Sequence, residues 1–261
     1  MWNHSLCYDE KKNLLKGDAV DMHKKDMDWK QMAFFLKIGL LGAFVILAGD
    51  LMMGWGVRDT SLSGMEGMLS PYLAVSDSRM FGAAVLGFTG VPLAVLGHCV
   101  LYRLLKPYSK RYARLYAVGI AGFLAFGGAG VHVSSVEAAF FYQSMTAAAP
   151  GAALSSTVKF AVYFLLPLYL VLIACWLVMV YAHLRAISRG LSPFPRWAWV
   201  FSMPIGSLLV CLVSLLGNHA LVNALMMGAF SFGNIWTLAG HLCLLRKAQE
   251  NWASAPPDEI R

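Results

Sequence analysis

Runs of about twenty apolar residues, each able to cross a hydrocarbon core of about 30 Å, recur along the whole chain. They leave no gap wide enough for a separate globular domain. Runs of this length read as transmembrane helices. Of 261 residues, 58% are hydrophobic and 13% charged, against about 25% charged in a soluble domain, which excludes an ordinary soluble fold. The net charge of +7 falls in short loops between apolar runs, as orientation by cytoplasmic Lys and Arg requires. The expected partner is therefore the lipid bilayer and not nucleic acid.

The predicted fold class is all-α: a bundle of six transmembrane helices with both termini cytoplasmic. Residues 1–31 mix Lys11, Lys12, Lys16, Lys24, Lys25 and Lys30 with Asp9, Glu10, Asp18, Asp21, Asp26 and Asp28. This segment has no apolar centre of signal-peptide type and reads as a hydrophilic cytoplasmic tail. The membrane domain covers 32–247, and 248–261 forms a second cytoplasmic tail. The expected spans are about 32–55, 80–105, 115–142, 158–183, 197–216 and 221–245. Arg103, Lys106, Lys110, Arg111 and Arg114, with no acid among them, mark the second connection as inside. Arg58, Asp59, Glu66, Asp77 and Arg79 mark the loop 56–78 as outside, and 144–157 is expected to be an outer loop as well. Pro92, Pro167 and Pro204 are expected bends. The localisation implied is a cell membrane, crossed several times. The five cysteines form no CxxC pair, so neither a disulfide nor a zinc knuckle is expected.

The third span, Leu115 to Tyr142, is dense in Gly and Ala and carries His132 and Glu137. Small residues reward close helix approach in lipid, so this span is the expected hub. Ionisable residues inside spans face protein or water, which makes Asp50, His132, Glu137, Asn218, His219, Asn223 and Asn234 the candidate pocket of the outer half. His98, His183 and His241 are expected toward the inner side as interfacial or packing residues. His132 and Glu137 are five residues apart, about 140° around a helix, so one helix does not supply both as paired ligands. If a metal is held, its ligands are Asp50, His132 and His219 from separate helices. Asn223, Phe230, Asn234, Thr237 and His241 form a polar stripe broadly on one face of the sixth span. Asn218 and His219 sit in a tight turn, where polar residues also serve turn geometry.

Five blocks in order carry a resemblance: AGDLMMG around Asp50, FGAAVLGFTGVPLAVLGHCVLYRLLKP, GAGVHVSSVEAAFF around His132, SPFPRW, and FSFGNIW around Asn234. Together they resemble an uncharacterised family of bacterial integral membrane proteins, a domain of unknown function. The resemblance implies a small polytopic helical protein and supplies no activity, substrate, cofactor or catalytic residue. Three classes of function fit the residues. The first binds or transports a small polar or amphipathic molecule, or a lipid, in the outer pocket. The second is a metal-assisted intramembrane hydrolase with Glu137 as general base, although no HExxH, GxSxG or GxGxxG stands in a suitable context. The third is a structural or accessory membrane protein.

Overall fold

A computed structural model describes residues 27–255. Most of the expected 1–31 tail and the end of 248–261 lie outside them. Among the described residues the chain is helical, with no strand. Four helices are long and apolar enough to cross a membrane: α1 (Trp29–Gly54), α3 (Asp77–Leu105), α4 (Lys110–Ala148) and α5 (Pro150–Ser188). A short α2 (Gly64–Leu69) lies in the loop between α1 and α3. A fifth apolar passage exists if α7 (Ala220–Met227) and α8 (Ala229–Cys243), bent by 62°, count as one. The remaining apolar helix, α6 (Met203–Leu216), is shorter, and α9 (Leu245–Ser254) closes the chain. This is the architecture of a helical membrane protein.

Capping residues set several boundaries. The Asp28 carboxylate accepts from the Gln31 amide at 3.0 Å, so α1 begins at Trp29. Ser109 does the same for α4 through the Tyr112 amide. At the far end of α1, the Arg79 guanidinium donates to the carbonyls of Met52 and Trp55, a cation on the negative end of the helix dipole. The loop expected over 144–157 is nearly absent: α4 runs to Ala148 and α5 starts at Pro150. Ala-rich sequence favours helix, and proline is at ease in a first helical turn. Pro204 likewise starts α6 rather than bending it. Pro167 lacks a backbone donor, and α5 is wound as a π-helix over Ala161–Leu165 just before it, where the ladder adjusts to that missing group.

The expected hub, α4, is only third in burial. Half of the apolar window of α3 (50%) is buried and 44% of that of α1, against 33% in α4 and 6% in α5. The tightest join is α1 on α3. A Cβ on Gly39 would stand 2.5 Å from the Cα of Gly97, so backbone rests on backbone, as van der Waals packing in lipid favours. In α4, Gly119 and Gly122 pack against Met179 and Cys175 of α5, while Gly127, Gly128 and Gly130 occupy a ten-residue π-helical stretch, Phe123–His132, with Gly127 and Gly128 turned inward and Leu124, Ala125 and Ala129 exposed. The half of the bundle nearer Arg103 and Arg185 is filled by Leu36, Leu101, Leu104, Tyr116, Met179, Ile187 and Leu238.

Candidate functional site

His132 closes the π-helical stretch of α4 and projects into a notch between α1 and α3. The notch exists because Gly87 has no side chain: a Cβ there would collide with the imidazole. The ring Nε2 donates to the Ala83 carbonyl at 3.0 Å, since a carbonyl can only accept. This leaves Nδ1 facing Asp50 Oδ1 at 3.4 Å. The other carboxyl oxygen, Oδ2, accepts from the Ser231 hydroxyl. A bare Nδ1 opposite a bare carboxylate oxygen would set two lone pairs against each other. One proton at the pair, on nitrogen or oxygen, would relieve that opposition and leave the couple electrically neutral.

Both side chains of the couple keep a small exposure, 12% for His132 and 13% for Asp50. Both line a cavity of about 420 Å³. Its walls are mostly apolar and aromatic, with Ile46, Val91, Phe123, Leu172, Trp176 and Phe230 among them, and Ser231 and Asn234 add polar atoms. Small-molecule sites are built this way: a concave apolar surface with few polar groups, within about 300 to 1,000 Å³. On one side the wall is α5, which packs chiefly on α4. The gap from α5 to α8 is bridged by Trp176 and Phe230, whose rings meet edge to face at 5.4 Å.

A second cavity of about 540 Å³, the outer one in the expected orientation, opens among the loops that join α1 to α2 and α6 to α7, lined by Arg58, Asn218 and Asn223 among others. Met53, Tyr72, Met226 and Met227 line both cavities, so the two adjoin at these side chains. Asn218 accepts from the Arg58 amide and donates to its carbonyl at 3.0 Å. Asn223 donates to the Gly56 carbonyl at 2.7 Å and to Asn218 Oδ1. These two asparagines thus clasp the α1–α2 loop to the α6–α7 turn. Nearby, burial pushes the Tyr72 phenol above its ordinary value, with the Arg58 charge partly opposing. The Ser61 hydroxyl and amide hold the Asp59 carboxyl below its ordinary value.

Of the seven candidate residues, Asp50, His132 and Asn234 share the inner cavity, and Asn218 and Asn223 share the outer one. Glu137 is exposed on α4 and lines neither cavity, its 140° offset having turned it away from His132. His219, exposed at the start of α7, does not join Asp50 and His132. Among the described residues no group of three His, Cys, Asp or Glu side chains is placed to hold a metal ion. The metal centre drawn from Asp50, His132 and His219 is therefore not assembled.

The inner histidines are more than peripheral packing. Tyr116 donates its hydroxyl to His98 Nδ1 at 2.8 Å, and His98 Nε2 donates to Asn234 Oδ1 at 2.9 Å. The Asn234 amide donates in turn to the Phe230 carbonyl at 3.1 Å. His183 and His241 follow, rings 4.9 Å apart and both buried. Ser231, Asn234, Thr237 and His241 all face inward on α8, while Asn223 is carried off by the bend at Gly228. Sequence reasoning missed Ser231, Tyr72 and Trp176. For Ser231 a signal was present, since it precedes Asn234 by three residues on the same helical face.

The chain belongs to the family described as "Family of unknown function (DUF6796)", which matches residues 22–248. Comparison with curated proteins and with solved structures gives no match.

Proposed function

We propose that this member of the family binds a small amphipathic molecule in the inner cavity, with its polar end at Asp50, His132 and Ser231 and its apolar part along the aromatic wall. The observation that carries this reading is the junction of an acid–imidazole couple, 3.4 Å apart, with a mostly apolar chamber of about 420 Å³. Buried ionisable residues in membrane helices are costly and mark ligand or ion paths. A merely structural pair would be sealed, whereas this one opens to a cavity whose rim residues Tyr169, Met227 and Phe230 are 39%, 40% and 44% exposed.

In the same reading the chain crosses a bacterial inner membrane six times with both termini cytoplasmic. Helix α6 with its preceding turn forms the fifth pass, and the bent α7–α8 pair forms the sixth. The exposure of Lys106, Lys110, Arg111, Arg114, Arg185, Arg189, Arg196, Arg246 and Lys247 supports this orientation.

The test is native mass spectrometry of the full chain released from nanodiscs and titrated with a panel of short-chain amphiphiles, wild type beside Ile173→Trp. That substitution fills the chamber from the exposed helix α5. Discrete mass additions to the wild type that the variant loses are expected. A folded wild type that takes up none of the panel, or a variant that takes up the same set, overturns the reading.

A further inference from the structure

The cavity's charges narrow the ligand further, on the premise that it is a ligand site at all. Among the described residues no Lys or Arg lines the chamber, and Asp50 is the one acid in its lining. The groups that face the couple can be followed helix by helix. From α4 comes His132, from α8 the Ser231 hydroxyl, and from α3 only the Ala83 carbonyl and the Gly87 notch. Arg79, further out on α3, is engaged with the Met52 and Trp55 carbonyls. Tyr72, Tyr169 on α5 and Cys211 on α6 complete the titratable lining. An Asp50 carboxylate in this setting has two means of neutralisation: the proton shared with His132, or a positive charge brought by a ligand.

The walls favour the second means as strongly as the first. Phe123, Tyr169, Trp176 and Phe230 line the same chamber, and aromatic faces attract cations, more so where water is excluded. The Ser231 hydroxyl already donates to Oδ2, a bond that strengthens when the carboxyl is charged. An anion would meet no Lys or Arg among the described lining residues and would face the Asp50 carboxyl.

We infer that the inner cavity binds a monovalent organic cation with an apolar body, in exchange for the proton held between Asp50 and His132. The step is an ion exchange. The O–H or N–H bond at the couple breaks, the proton leaves to solvent, and the cation takes its place beside the carboxylate without a covalent bond. Total charge in the chamber is unchanged. Affinity then rises by about tenfold per pH unit while the couple is protonated, and levels off once it is not.

The experiment is isothermal titration of the full chain in nanodiscs with three probes of one shape: benzyltrimethylammonium, benzyl alcohol and benzenesulfonate. Each is run in two buffers of different ionisation enthalpy, which reports protons released, and over a range of pH. The cation is expected to bind and release about one proton, and the anion not to bind. Asp50→Asn is expected to weaken the cation by at least about 30-fold while changing benzyl alcohol by less than about threefold. If benzyl alcohol binds and the cation does not, or the cation binds without proton release, the cation inference fails and the ligand cavity stands. If no probe binds to folded wild-type protein, both fall. The wild-type proton count and pH dependence decide the matter even where Asp50→Asn fails to fold.

Discussion

Replacing Gly87 by Ala isolates the contact on which the couple depends. The added methyl would occupy the space of the His132 ring, so either α3 or the imidazole must shift. Overpacking of this kind costs about 1 to 3 kcal/mol, and losing the Nε2 bond to the Ala83 carbonyl adds about 1 kcal/mol. Against this, Ala is preferred over Gly in a helix by about 1 kcal/mol. The expected net loss is about 1 to 3 kcal/mol. It is read by reversible unfolding in mixed micelles, with nitrogen-15 spectra of the histidine rings following the His132 environment. Gly151→Ala on α5 is the internal control. A Cβ there meets nothing within 4 Å, so the same substitution is expected to be neutral or to gain a few tenths of a kcal/mol. The reasoning is refuted if Gly87→Ala is as stable as the wild type and leaves the His132 signals unmoved.

Other perturbations probe the surroundings of the site. Asn218→Ala removes both bonds to the Arg58 backbone. A loss of about 1 to 2 kcal/mol is expected, with faster amide exchange over residues 56–62, and unchanged exchange there would count against the clasp. His98→Ala leaves the Tyr116 hydroxyl and Asn234 Oδ1 buried without partners; a cost of about 3 to 5 kcal/mol in the same unfolding assay is expected, and a cost under about 1 kcal/mol would contradict the network. Tyr72 gives a pH signature. Because its folded value is raised above the ordinary 10.0, the stability it contributes is complete below that pH and is lost as pH rises through the folded value. Tyr72→Phe should therefore flatten the alkaline fall of the unfolding midpoint, and superimposable alkaline profiles would refute this.

Much about this protein follows from the order of its residues. The apolar runs dictate helices of membrane length, and the basic clusters at 103–114 and 185–196 end up exposed. Asp50 and His132 stand out because ionisable groups are rare in such runs. Boundaries were less legible. The same Ala, Pro and Gly that suggested a loop near 150 start a helix, and Gly228, unremarkable in a list, is where α7 and α8 part by 62°.

Which side chains meet was decided by the tertiary structure alone. A membrane helix is apolar nearly all round, so hydrophobic periodicity does not say which face turns inward or toward which neighbour. Nothing local tells that Gly87 makes room for His132, that Ser231 reaches Asp50 across 181 positions, or that His219 stands apart from both. Those outcomes depend on how closely backbones approach and where a helix bends. Composition fixes that a buried acid in such a chain needs a partner; only the packed bundle selects His132 and opens a chamber beside it.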